Sequence, residues 1–247
     1  MKRMDLLNDD LKKIFIRYLI PGILSSLAIS LYIFVDTMFV GIGVGRDGLT
    51  ALNVTVPLFT LFTSINLCIG IGGSNILSLN KASGGKDSNK IFTIAFLFTI
   101  MIGIIISVLG VVFTDQIGKV LGATPDISYL FRDYFRILVG FTWAFLISGV
   151  LGCFIRNDGA PKLVMTATVV ANITNVVLDY IFIFEWNLGI KGAVIATVIS
   201  PIVNILILST YFFKKNSNIK LCKVRFDFRL LSRILNNGFG TFLLEMS

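Results

Sequence analysis

Ala171-Asn172-Ile173-Thr174-Asn175-Val176-Val177-Leu178-Asp179-Tyr180-Ile181-Phe182-Ile183-Phe184 is the stretch on which the fold turns. It lies in an apolar run long enough to cross a bilayer, yet it carries two amides and a carboxylate. Asn172, Asn175 and Asp179 stand at i, i+3 and i+7, so on a helix they share one face. A carboxylate facing hydrocarbon is costly, so that face must meet a partner helix or a wet cavity. A second acid, Asp36, interrupts another apolar run at 29–40.

Working outward, the composition says why such acids matter. The 247 residues are 55% hydrophobic and 15% charged, with 22 Phe, and the mean hydropathy is +0.86. Soluble domains carry about 25% charged residues. This deficit, with repeated apolar runs of membrane-crossing length, predicts an all-α polytopic transmembrane bundle. The polar start and the long first apolar run do not fit a cleavable signal peptide. The net charge of +8 is carried between apolar runs, which points to topology and anionic headgroups and away from nucleic acid. Three widely spaced cysteines, Cys68, Cys153 and Cys222, do not make a metal or disulfide framework. With no histidine, the carboxylates are the side chains suited to a membrane proton relay.

Six spans are expected, at 14–40, 51–79, 91–113, 129–154, 163–184 and 193–213, and a seventh begins near Leu231. This divides the chain into a six-helix lobe over 1–213, a basic linker over 214–230 and a truncated seventh helix over 231–247. Loops are expected at 41–48, 82–87, 114–125 and 157–161, where turn residues gather. Pro161 fits a first helical turn. Pro21, Pro57 and Pro201 fall inside apolar runs, where kinks are expected.

The basic residues divide unevenly. Lys2, Arg3, Lys12, Lys13, Arg17, Lys81, Lys86, Lys90, Arg156 and Lys162 fall on one side, with Lys214, Lys215, Lys220, Lys223, Arg225, Arg229 and Arg233. Only Arg46, Lys119, Arg132, Arg136 and Lys191 fall on the other. The positive-inside rule then places the N-terminus in the cytoplasm of a multi-pass membrane protein. Asp36 lies roughly 28 Å along its helix from Arg17, and Asp179 roughly 25 Å from Lys162, at 1.5 Å per residue. Both acids therefore stand in the outer half, as does Thr197, while Asn172 and Asn175 lie one to two turns inward of Asp179. Agreement in level between three distant helices points to one shared polar cavity.

An even number of spans returns the chain to the cytoplasm, so a second six-span unit would keep the same orientation, as in transporters built from parallel repeats. The chain stops mid-helix just after Glu245, as a fragment or truncated product would.

Several motifs carry a family resemblance. Val35-Asp36-Thr37-Met38-Phe39-Val40-Gly41 is followed by Leu49-Thr50-Ala51-Leu52-Asn53-Val54-Thr55-Val56-Pro57. Then come Arg156-Asn157-Asp158-Gly159-Ala160-Pro161-Lys162, the stretch from Asn175 to Phe184, and Leu188-Gly189-Ile190-Lys191-Gly192-Ala193-Val194-Ile195-Ala196-Thr197. In that order and spacing, over nearly the whole chain, they resemble the bacterial MATE family (multidrug and toxic compound extrusion). The resemblance implies one lobe of a twelve-helix transporter. Such a transporter exports amphipathic or cationic compounds in exchange for Na+ or H+, with no cofactor and no enzymatic chemistry. It also implies an ion-coupling cavity of Asp36, Asn175, Asp179 and Thr197, with no metal beyond a coupling Na+ held there. Pro21 matches a helix-bending proline, and Glu245 a second-lobe acid. The family's fourth-span polar residue is missing near Gly152, which leaves the ligand set one short. The partners implied are the lipid bilayer, small amphipathic substrates and the missing C-terminal lobe.

Plainer roles stand beside these. Thr197 can bond its own i−4 carbonyl, and Asn172 fits helix packing better than a site. Arg132, Asp133 and Arg136 read as an interfacial charge cluster, and Tyr32, Tyr180, Trp143 and Trp186 as interface or lipid-facing rings. Gly70-Ile71-Gly72-Gly73-Ser74 lacks a Walker lysine pattern and suits close helix packing. The runner-up function is a lipid-linked oligosaccharide flippase of the same superfamily. Its cavity would be lined by arginines, whereas the intramembrane charges here are acidic.

Overall fold

Within hydrocarbon a backbone must bond to itself, and long apolar runs meet that demand as helices. The computed structural model describes residues 11–85, 87–213 and 219–247, and among these there is no strand. The helices are α1 (Leu11–Gly43), α2 (Arg46–Ala82), α3 (Ser88–Val112), α4 (Thr114–Val120), α5 (Ser128–Gly140), α6 (Thr142–Asn157), α7 (Pro161–Tyr180), α8 (Gly189–Ser209) and α9 (Phe228–Met246). Among the described residues, five stretches are long and apolar enough to cross a membrane: Tyr18–Gly43, Arg46–Ala82, Ser88–Val112, Pro161–Glu185 and Gly189–Phe213. A bent pair, Pro125–Gly140 with Thr142–Asn157, which turns by 47°, is long and apolar enough to make a sixth when its two arms are taken as one span. The expected six-helix lobe is therefore present.

The differences are local. The bend at Phe141 has no proline. Gly140 precedes it, and the Thr142 hydroxyl donates to the Val139 carbonyl at 2.7 Å, a side-chain bond that competes with the helical ladder. Pro21, Pro57 and Pro201 all sit inside continuous helices. The expected loop at 41–48 shrinks to a turn between Gly43 and Arg46, where Gly45 takes φ 88°, which favours glycine. The expected loop at 114–125 contains α4. Its Gly118 lies so close to the Phe131 ring that a Cβ there would stand 2.6 Å away, so this segment packs on α5 rather than looping free. Of the expected basic side, Lys2, Arg3, Lys86, Lys214 and Lys215 lie outside the described residues, as does 214–218 of the linker.

α6 stands centrally, against α2, α3 and α8, while α7 packs between α8 and α1. Two apolar cores follow. One, built on Ile91, Phe92, Phe154 and Ile155, fills the half nearer the basic surplus. The other, built on Ala51, Phe131, Leu138 and Ile190, fills the opposite half. The glycine run in α2 is a packing surface. A Cβ on Gly72 would meet the Ile234 carbonyl oxygen of α9, and one on Gly73 the Phe154 ring of α6. From the other side, a Cβ on Gly238 would meet the Cys68 carbonyl. α9 thus seats against α2 at backbone contact. The 219–227 segment lies along the start of α3, where Lys220 N–H donates to Asn89 Oδ1 at 2.8 Å and Cys222 N–H to Thr93 Oγ1 at 3.1 Å.

The end of the bundle nearer the basic surplus is pinned by one carboxylate. Asp158, whose side chain is 1% exposed, takes the Lys81 ammonium at 2.5 Å and the Tyr211 hydroxyl. Beside it Asn157 donates to the Ser74 carbonyl at 2.7 Å. Gly159, at φ 92°, then turns the chain into Pro161 at the start of α7.

Candidate functional site

The site forms where the end of α1 meets the end of α7. Just past α7 the chain makes a π turn, Ile181–Glu185, in which Trp186 N–H bonds the Ile181 carbonyl at 2.9 Å. A Cβ on Gly43 would stand 2.2 Å from the Ile183 side chain, so the last turn of α1 rests directly on this π turn. That contact fixes the register of the two helices. Two turns back along α1 is Asp36, and one turn back along α7 is Asp179.

Asp36 is 8% exposed and Asp179 is fully buried. Their carboxyl groups lie within hydrogen-bonding reach of each other. Neither makes an ion pair with a basic side chain among the described residues. Asp36 Oδ1 and Asp179 Oδ1 are both buried without a partner among the described residues. With its amide oriented so that both ends are satisfied, Asn175 donates to Asp179 Oδ2 at 3.2 Å. Its oxygen then accepts the Thr197 backbone N–H at 3.3 Å. The Thr197 hydroxyl donates to the Ala193 carbonyl of its own helix at 2.9 Å, the plainer role expected of it. It also shares a hydrogen bond with Tyr134.

The four residues expected to form a cavity, Asp36, Asn175, Asp179 and Thr197, therefore come together from α1, α7 and α8. Asn172 is buried one turn back along α7 from Asn175, and its Nδ2 has no partner among the described residues. Pro21 lies near the opposite end of α1, where its carbonyl accepts the Ser25 hydroxyl at 2.7 Å. Glu245 is exposed on the last turn of α9, an element that takes no part in this site.

Two groups were not expected. Tyr32 is not simply an interface ring. It stands one turn before Asp36, half-buried, and within electrostatic reach of both acids. Tyr134 is a buried group of α5, close to the acids and bonded to Thr197. It is a polar group that the fourth span brings beside the acids. A Cβ on Gly152 would meet Val164, on the first turn of α7 and far from Asp179. The group that this span brings to the site comes instead from the other side of its bend. The i−4 spacing of Tyr32 to Asp36 was a signal available in the sequence. Tyr134 had none, because its neighbours Arg132 and Asp133 made the segment look interfacial. Those two are indeed ion-paired at that end, Arg132 with Asp115 at 2.8 Å and Asp133 with Lys191 at 3.2 Å. Of the other rings, Tyr180 and Trp186 are exposed as expected, but Trp143 is half-buried with its backbone against Gly103.

Chemically, two facing carboxyls with an unpartnered oxygen each, framed by an amide and hydroxyls, can share a proton or ligate a small hard cation through oxygen.

A family model described as MatE matches residues 21–181. The multidrug export protein MepA of Staphylococcus aureus (strain MRSA252) is 26% identical over 242 residues, which is 95% of this chain and 52% of MepA. A crystal structure of MATE in complex with MaD3S superposes with a TM-score of 0.90 at 24% identity, covering 99% of this chain and 56% of that one. The outward-facing conformation of a multidrug resistance MATE family transporter of the MOP superfamily superposes with a TM-score of 0.87 at 25% identity, again over 99% and 56%. The chain thus spans about half the length of the relatives it matches.

Proposed function

Because the chain belongs to the MatE family, we propose that it forms the ion-coupling half of a secondary active multidrug exporter. The single observation that carries this is the facing pair Asp36 and Asp179, each with a buried oxygen that has no hydrogen-bond partner among the described residues. A buried charge without a partner is a poor structural device, and in a membrane it marks an ion or proton path. The export role is supported by the similarity to MepA, a multidrug export protein, and by the family.

The coupling ion is Na+ or H+, and the cargo is amphipathic or cationic. Two adjacent carboxylates do not both ionise without a cation between them, so the empty pair retains a proton. Entry of an ion neutralises the pair. A neutral pair can be dehydrated, which lets α1 repack against α7. Pro21 leaves one carbonyl of α1 without its helical partner and gives that helix a point at which to bend. Ion and cargo are linked because each shifts the same equilibrium between inward- and outward-open arrangements. Glu245 would belong to the second lobe's site. The uneven division of basic residues supports a cytoplasmic N-terminus in the cell membrane.

A relative's remaining length would supply the second lobe, and alternating access needs two bodies that rock against each other. The six-helix half is therefore expected to bind the ion without transporting. The test is 22Na+ binding and proton release on the purified chain in detergent, wild type against Asp36→Asn and Asp179→Asn. A signal present in the wild type and lost in both variants supports one shared coupling site and names the ion. A wild-type signal that either variant retains sinks the proposal.

A further inference from the structure

The end of the bundle that carries the basic surplus holds a feature that ion coupling does not use. Two adjoining cavities, of about 500 and 540 Å3, open between the first turn of α3, the 219–227 segment and the first turns of α9. Five cations line them: Lys90, Lys223, Arg225, Arg229 and Arg233. The acids there are Asp87 and Asp227. Asp227 is already committed. It pairs with Lys90 at 2.8 Å and caps α9 by accepting the Arg229 and Leu230 N–H groups at 3.1 Å each. Among the described residues, Lys223, Arg225, Arg229 and Arg233 make no ion pair. A concave surface with four uncompensated cations and one remaining acid is complementary to an anion.

A second observation says what kind of anion. Phe226 and Phe228 stand among the lining residues with ring centroids 5.0 Å apart, and both are exposed, Phe228 at 76%. The nearby Leu221 is exposed as well. Rings at this level of a membrane protein sit among headgroups. A free anion would gain nothing from an apolar rim, whereas a lipid presents phosphate and hydrocarbon together. We propose that this cavity binds the phosphate headgroup of an anionic phospholipid, with Phe226 and Phe228 against its glycerol and upper acyl chain. Basic pockets between membrane helices suit such headgroups, which are concentrated in the cytoplasmic leaflet. The site is separate from the acid pair and rests on the membrane reading alone, so it stands or falls independently of ion coupling.

The experiment is native mass spectrometry of the whole purified chain in detergent. It is titrated with phosphatidylglycerol, with phosphatidylcholine of matched acyl chains, and with phosphatidylglycerol in the presence of inorganic phosphate. Phosphatidylglycerol is expected to bind more tightly than phosphatidylcholine and to resist inorganic phosphate. Each arginine removed near an anionic headgroup weakens binding about fivefold, so Arg225→Gln with Arg229→Gln is expected to weaken it about 25-fold. These side chains are exposed, so their loss leaves the core intact. Arg233→Gln approaches the same cavity from further along α9 and is expected to weaken binding about fivefold. Arg46→Gln with Lys119→Gln removes the same charge from the opposite end and should change nothing. Undiminished binding in both cavity variants overturns the proposal. Equal loss in the opposite-end variant overturns it in favour of net charge, and displacement by inorganic phosphate overturns it in favour of a free-anion site.

Discussion

Asp158 and the pair Asp36–Asp179 are all buried carboxylates in one small bundle, and their surroundings are opposite. Asp158 is saturated, with Lys81 on one oxygen and Tyr211 on the other, and it ties α2, α6 and the end of α8 into one block. Asp36 and Asp179 face each other, and each keeps an oxygen without a partner among the described residues. Burial alone therefore does not mark a functional acid. What separates the two regions is whether the fold has closed the hydrogen-bonding account of the group it buries.

The contrast breaks most sharply on stability. Removing one partner of a buried pair strands the other, at about 3–5 kcal/mol when both are enclosed. Lys81 is about a third exposed and can turn to water, so Asp158→Ala is expected to cost about 3 kcal/mol, the low end of that range. Asp36→Asn and Asp179→Asn replace an acid that keeps one oxygen unpartnered by a neutral amide of the same shape, and each should move stability by less than about 1 kcal/mol. Thermal unfolding of the three variants in one detergent checks this. If Asp36→Asn costs as much as Asp158→Ala, the acid pair is structural.

The next effect belongs to the α2–α9 contact, away from the acid pair. A Cβ at Gly238 would meet the Cys68 carbonyl, which is backbone and cannot swing aside. Gly238→Leu is expected to unseat α9 from α2 and to cost about 2 kcal/mol. Ion binding by the acid pair should survive, since α1, α7 and α8 do not rest on that contact. Loss of both together in an ion-binding titration would show that the two halves are coupled rather than separate.

The sequence carried the spans and the acid pair for a plain reason. Hydrocarbon forces helices, and two acids at matching depth admit few explanations. The details depend on contacts between distant segments. Tyr134 reaches the site only because its span bends at Phe141, and no proline announces that bend. Asp158 looked like part of a turn motif. Its clamp appears only when Lys81 and Tyr211 arrive from α2 and from beyond α8. α4 forms in a stretch with turn residues because Gly118 lets it lie against Phe131.

Tyr32 offers a finer test on the functional side. It is half-buried beside both acids, so its hydroxyl can steady the ion-bound state without carrying much of the fold. Tyr32→Phe keeps the ring and removes the hydroxyl; if that hydroxyl bonds the ion-bound site, its loss costs about 0.6 kcal/mol or roughly threefold in ion affinity. Stability should be unchanged. A threefold loss of 22Na+ affinity or a shifted proton-release midpoint sharpens the division. A fall in melting temperature with unaltered ion binding would move Tyr32 to the structural side.

The smallest effect is expected where a carboxylate is neither buried nor orphaned. The Lys90 ammonium beside it, helped by the Leu230 and Arg229 N–H groups, holds Asp227 below the usual carboxylate range. A group whose folded pKa is depressed stabilises the fold above its unfolded value, roughly pH 4, and loses that contribution as pH falls through the folded value. Asp227→Asn removes the charge but keeps an oxygen that can cap α9, so at neutral pH only the screened pair with Lys90 is lost. The melting temperature should barely move. Whatever difference exists should shrink in high salt and vanish in acid. Asp227→Ala also removes the cap and should exceed Asp227→Asn at every pH above that range. A large, salt-insensitive loss in Asp227→Asn would mean that the 219–227 segment is clamped as firmly as Asp158 clamps its own end. The line between the closed and open carboxylates would then have to be redrawn.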